Sequence, residues 1–131
     1  MIVDSSALVA ILFEESEEQA FLEAIDQAPV TRISAANFVE IGIVFDSRRK
    51  GHIEQRFSSF LERAAIAIEP VTEAQARLAR DAHRRYGRGS GHPARLNFGD
   101  CFAYALARDK DEPLLFKGTD FASTDVGSAL P

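Results

Sequence analysis

Four short runs rich in apolar and β-branched residues, 1–3, 30–33, 66–71 and 114–116, are separated by long segments with helical period, and this alternation constrains the fold more than any other feature. Hairpin partners are separated by only about two to five residues, whereas strands joined through helices pair in parallel. The pattern predicts an α/β chain, a three-layer α/β/α domain with a small parallel sheet of four strands. Residues 126–131 either add a fifth edge strand or fray.

The helical segments carry their own signals. Phe21, Ala24, Ile25 and Ala28 recur at helical spacing, as do Ile53, Phe57, Phe60, Leu61 and Ala64. Ser16 stands three residues before Gln19, Thr72 before Gln75 and Asn97 before Asp100, the spacing of a reciprocal capping box. Ser34 is placed to cap the helix that carries Glu40, and Gly51 after Arg48, Arg49 and Lys50 reads as a helix C-terminus. Residues 87–93 read as a loop between two helices.

At 131 residues and 46% apolar composition, the chain 1–131 reads as a single domain that buries roughly two thirds of its unfolded surface. Its single cysteine, Cys101, lies in an apolar run and suits a reducing cytoplasm. The first residues, MIVD, have no basic leader, and the apolar run 7–13 is too short to span a membrane, so a cytoplasmic, unexported chain with no membrane partner is expected.

A net charge of −5 argues against nucleic-acid binding by overall charge, but the charge is uneven. Residues 1–31 hold seven acids and no Lys or Arg, while residues 77–95 hold six arginines against one acid, Asp81. Those arginines, Arg84, Arg85 and Arg88 among them, form either a solvated face or a patch that contacts phosphates.

Four acids fall where a parallel sheet gathers strand ends and helix starts: Asp4 after the first strand, Asp120 after the last, and Glu40 and Asp100 near helix starts. Three of them have a structural alternative. Asp4 can be an N-cap, Asp100 the partner of Asn97 in a capping box, and Asp120 a turn residue. Glu40 shares a helical stripe with Ala36, Ile43 and Val44 and meets no basic residue before Arg48, so a cation from solution would offset the cost of its charge. Clustered carboxylates call for a hard cation, Mg²⁺ or Mn²⁺, whereas scattered His52, His83 and His92 offer zinc no ligand set. Such ions generate hydroxide and neutralise a phosphodiester, which makes phosphodiester hydrolysis the reaction class.

The segments MIVDSSALVAIL, ISAANFVE, RLNFGDCFAYALA and LLFKGTDF, in this order, resemble the PIN-domain nucleases, specifically VapC-type toxins of toxin–antitoxin modules, over essentially the whole chain. The resemblance implies that Asp4, Glu40, Asp100 and Asp120 are the catalytic acids, with Asp4 and Asp100 as direct metal ligands. Ser5 or Ser6 and Thr119 match small polar residues that orient ligands, and Asp125 is an additional acid. Gly-Thr-Asp stands here where Gly-Asn-Asp is common. The resemblance further implies an RNA substrate, Mg²⁺, a homodimer and a cognate antitoxin. Two other readings compete: a PIN-like module that binds RNA or protein without cutting, and an aspartyl phosphatase using Asp4. Clustered like charges disfavour the first, and Ser6 in place of a second acid disfavours the other.

Overall fold

The computed structural model describes residues 1–48 and 51–131. In chain order it contains β1 (Ile2–Val3), α1 (Ser5–Leu12), α2 (Glu18–Gln27), β2 (Arg32–Ser34), α3 (Ala35–Ser47), α4 (Gly51–Arg63), β3 (Ala67–Glu69), α5 (Glu73–Tyr86), α6 (Phe98–Lys110), β4 (Leu114–Leu115) and a closing 3₁₀ turn, Asp120–Ser123. The four strands form one parallel sheet in the order β3-β2-β1-β4, as the alternation of strand and helix predicts.

Alternation along each strand sorts its side chains into two layers. Val3 and Leu115 face a core built with Leu8, Phe21, Ile41, Phe45 and Phe57 from α1–α4. Ile2 and Leu114 face the opposite core, with Ala82, Tyr86, Tyr104 and Leu106 from α5 and α6. On α2 the buried residues are Phe21 and Ile25, and on α4 they are Ile53, Phe57 and Leu61, each set at the spacing that puts one stripe against the sheet.

The strands are shorter than the apolar runs suggest. Val30 stays outside β2 although its carbonyl accepts from the N-terminal amine (2.8 Å), and β3 stops before Pro70, which has no N–H to donate. Residues 126–131 pair rather than fray: the Leu114 N–H donates to Gly127 O (2.8 Å) and the Ala129 N–H to Leu114 O (2.9 Å), a parallel bridge short of a full strand.

The capping expectations divide. Asn97 and Asp100 form both halves of their box. Thr72 accepts from the Gln75 N–H (3.2 Å), but the Gln75 side chain turns instead to Asp109 (3.0 Å). Ser16 caps nothing: α2 starts one residue past Glu17, and the Ser16 hydroxyl donates to Glu17 (3.0 Å). Gly51 opens α4 rather than ending α3, which closes at Arg48 with its N–H on Val44 O (3.2 Å). Arg49 and Lys50 lie outside the described residues.

Candidate active site

β1 delivers Asp4 to the carboxyl edge of the sheet, where its N–H donates to Leu115 O (2.9 Å) and its side chain caps α1. The expected cap is present, and it uses only one oxygen. Oδ2 accepts from the Ser6 N–H (3.0 Å) and the Ser6 hydroxyl (2.6 Å). Oδ1 is buried with no hydrogen-bond partner, on a residue only 3% exposed. Burial raises the Asp4 pKa, the nearby charge of Glu40 adds to it, and the bonds from Ser6 oppose them. Ser6 also accepts from the Lys117 N–H (3.0 Å), which ties the loop after β4 to the residue that fixes Asp4.

Ser34 caps α3 through the Ala36 N–H (3.3 Å), and α3 carries Glu40 in its second turn. The buried stripe of α3 is Asn37, Ile41 and Phe45, not the one shared by Glu40, because Ile43 is exposed. Glu40 therefore sits half-buried at the rim of the core, beside polar neighbours. Oε1 accepts from the Ser5 hydroxyl and from Asn37 Nδ2 (3.3 Å). Asn37, fully buried, donates also to Gly99 O (3.0 Å) and so joins α3 to the start of α6. The sequence reading passed over Asn37 and Gly99; an amide three residues before Glu40 on a helix and a glycine directly before Asp100 were the available signals.

Asp100 is both a cap and a member of the acidic group. Its Oδ2 accepts from the Asn97 N–H (2.8 Å), and Oδ1 has no hydrogen bond among the described residues. Burial pushes its pKa up to about 7; the bond from Asn97 opposes that shift, and the charges of Asp4, Asp120 and Glu40 reinforce it. The four acids thus share one electrostatic neighbourhood. Asp120, exposed at the start of the 3₁₀ turn, is its open side. Among the described residues no group of three acidic, histidine or cysteine side chains is gathered tightly enough to hold a metal ion, so the acids face one another without closing into a cage.

The remaining candidates scatter. Thr119 is exposed and makes no side-chain cap bond. Asp125 is held away from the acids by the Tyr104 hydroxyl (2.6 Å) and Arg85 (3.3 Å), with Arg108 at 4.0 Å. Burial disfavours its charge, but these partners outweigh that and lower its pKa. Arg84 pairs with Asp81 (3.1 Å), and Arg85 lies over the Tyr86 ring (4.7 Å) while reaching Asp125. Arg88 is exposed and has no ion pair among the described residues.

The donor set suits a hard divalent cation: oxygen atoms only, two carboxylates that each keep one oxygen free of protein hydrogen bonds, and a buried orphan at Asp4 Oδ1. Asp4 and Asp100 are the residues that could hold it, and Glu40 and Asp120 the acids beside them.

A family model for the PIN domain matches residues 1–127. Ribonuclease VapC28 of Mycobacterium tuberculosis is 55% identical over 130 residues, covering 99% of this chain and 98% of that protein. Ribonuclease VapC of Mycolicibacterium smegmatis is 44% identical over 128 residues, covering 98% of each. Two solved structures share the fold. Mycobacterium tuberculosis VapC20, a sarcin-ricin loop cleaving toxin, has a TM-score of 0.76 at 16% identity over 95% of both chains. A chain of a toxin–antitoxin complex from Klebsiella pneumoniae has a TM-score of 0.72 at 22% identity, over 95% of this chain and 92% of that one. With the family model spanning nearly its whole length and relatives at 44–55% identity, this chain belongs to the PIN-domain family and is of the VapC ribonuclease type.

Proposed function

We propose that this protein is a divalent-metal-dependent endoribonuclease, the toxin of a toxin–antitoxin pair, that hydrolyses RNA phosphodiester bonds in the cytoplasm and blocks translation until its antitoxin binds. The observation that carries the reading is Asp4 Oδ1, a buried carboxylate oxygen with no partner, in one electrostatic neighbourhood with Asp100. A fold leaves such an atom unmatched at a cost of about 1–3 kcal/mol or more, and a bound cation offsets it.

Asp4 and Asp100 would hold Mg²⁺, or Mn²⁺ in its place, since each keeps a carboxylate oxygen free of protein hydrogen bonds. The bound ion supplies a Lewis acid for the phosphodiester and lowers the pKa of a water. Ser6 fixes the Asp4 carboxylate by two hydrogen bonds, so its free oxygen has one direction. Ser5 and Asn37 orient Glu40 in the same way, which suits it to accept a proton from the attacking water. Asp120, exposed beside them, completes the acidic group on the side open to RNA, with Thr119 next to it. Asp125 supports the turn that carries Asp120. The names of the relatives support RNA as the substrate.

The partners follow the same reading. Exposed Val39 and Ile43 on α3 offer an apolar surface for a homodimer. A cleft of about 680 Å³ between α2 and α4, floored by Leu22, Ile25 and Phe60 with Arg56 and Arg63 at its rim, offers room for an antitoxin segment. Among the described residues no helix is long and apolar enough to cross a membrane. The test is cleavage of total cellular RNA by purified protein with Mg²⁺, with EDTA, and with EDTA followed by excess Mg²⁺. Activity that persists under complete chelation would overturn the metal assignment, and no cleavage under any condition would overturn the nuclease reading.

A further inference from the structure

Phe98, the first residue of α6, is 79% exposed, the most exposed of the large apolar side chains described, and stands two residues before Asp100. A phenylalanine kept for stability would be buried, since exposure forfeits about 2 kcal/mol of transfer free energy. Its ring is held in place by Phe102, one turn on, edge to face at a centroid distance of 4.9 Å and an interplanar angle of 77°. It forms one wall of a cleft of about 420 Å³ between α5 and α6, with Ala76 and Ala79 on the apolar floor. Arg80, His83, Arg84 and Cys101 complete the lining, and no acid takes part. In a protein of net charge −5 that is a local reversal. Arg80 has no ion pair among the described residues, and the Arg84 pair with Asp81 is fully on the surface, where such pairs contribute little.

We infer that this cleft is a nucleobase subsite: an unpaired base of the substrate stacks on Phe98, and the adjoining phosphate lies against Arg80 and Arg84. The inference rests on the ribonuclease reading above and adds to it where the RNA runs. An aromatic face beside cations is the combination that single-stranded nucleic acid selects, because every base has a π-face and every nucleotide a charge. Placement at the N-terminus of α6 connects the subsite to Asp100, so a base seated here fixes the register of the phosphodiester presented to the acids. A second copy of this chain is a poorer occupant, because a two-fold contact centred on the cleft brings Arg80 and Arg84 against their own counterparts.

The test compares wild type with Phe98→Ala, Phe98→Tyr and Arg80→Gln. Binding is followed in EDTA with a short single-stranded oligoribonucleotide carrying 2-aminopurine and with a blunt RNA duplex, and KM and kcat are measured with Mg²⁺ on the single strand. Phe98→Ala should weaken single-strand binding about tenfold or more, abolish the stacking quench of 2-aminopurine and raise KM more than it lowers kcat. Phe98→Tyr should restore all three, duplex binding should not respond to either change, and Arg80→Gln should flatten the salt dependence by about 0.7 log units. Wild-type cleavage together with unchanged binding by Phe98→Ala would overturn the subsite alone. A lower molar mass of Phe98→Ala in light scattering would overturn it in favour of a self-association surface. A wild-type protein that neither binds nor cuts RNA would overturn the nuclease reading and this inference with it.

Discussion

The Cα of Gly99 lies against the carboxylate of Glu40, so closely that a methyl group at position 99 would sit 1.9 Å from Oε2. The atom in the way is the far end of a flexible side chain, so Gly99→Ala is expected to fold, with thermal stability within about 1 kcal/mol of wild type because alanine also favours the helix. Glu40 must then leave its place between Ser5 and Asn37. RNA cleavage should fall by something on the order of a hundredfold, as for a misplacement of about 1 Å. A fully active Gly99→Ala protein would remove Glu40 from the catalytic assignment.

Asp4 and Asp100 cap helices with one oxygen and keep the other free, so a cap and a ligand respond differently to the same substitution. Asp4→Asn and Asp100→Asn preserve an acceptor for the N-cap of α1 and the capping box of α6 and should leave the metal-free protein no less stable, while Ala at the Asp4 N-cap should cost about 1 kcal/mol. Both Asn variants should nevertheless lose cleavage, because a neutral amide oxygen is a poor Mg²⁺ ligand. Exposed Glu62→Gln serves as the control. An active Asp100→Asn enzyme would leave Asp100 as a cap only.

Asp100 titrates at about 7 in the folded protein against an ordinary value of 3.8. Between those values the folded state binds more protons than the unfolded state, so stability falls as pH rises through this window and levels off above it. Asp4, also raised, acts in the same direction. Thermal midpoints measured in EDTA from pH 4 to pH 8 should therefore decline, and Asp100→Asn should reduce the slope. Added Mg²⁺ should stabilise the protein most at the upper end, where Asp100 is ionised. A midpoint that rises steadily to pH 8 in EDTA would contradict the burial of Asp100.

Tyr104, buried in α6, gives its hydroxyl to Asp125 and so ties the chain after the 3₁₀ turn to the helix that begins near Asp100. Tyr104→Phe should lose about 1–3 kcal/mol in urea denaturation, since a charged acceptor loses its closest donor. Asp125→Ala should lose more, because Arg85 and Arg108 then face each other without it. Either variant that retains Mg²⁺ affinity but loses turnover would identify the latch as what positions Asp120.

The arginines should separate by their tethers. Arg88→Gln is expected to lower the salt dependence of RNA binding by about 0.7 log units without changing stability. Arg85→Gln is expected to destabilise, through Tyr86 and Asp125. Equal effects of the two on binding and on stability would return the run to a solvated face.

The order of strands and helices was legible because period and spacing are properties of the chain itself, and the layer of Ile2 and Val3 follows from alternation alone. The acids were legible from where strands end. Their division of labour was not: whether a carboxylate is a cap or a ligand is posed by sequence as a choice, and Asp4 and Asp100 do both, one oxygen each. The surroundings of Glu40 were misread because the buried side of α3 depends on how the helix sits against α6. That contact is made by Asn37 and Gly99, 62 residues apart. Ser16 failed as a cap for a local reason, since the helix began one residue later than its box required, with Glu17 in the capping position.

β1 sits in the middle of the sheet, with Ile2 beside Arg32 on one flank and Leu114 on the other. Of the four strands β1 is made before the others, and it must wait for β4 to gain its second neighbour; closing so long a loop is slow. A nascent chain arrested before residue 114 already carries Asp4, Glu40 and Asp100, yet lacks the strand whose carbonyl pins Asp4 and the loop whose amide reaches Ser6. The acidic edge is finished only by the strand and loop at 114–117, so the order of synthesis delays assembly of the site until those residues have followed Asp4, Glu40 and Asp100.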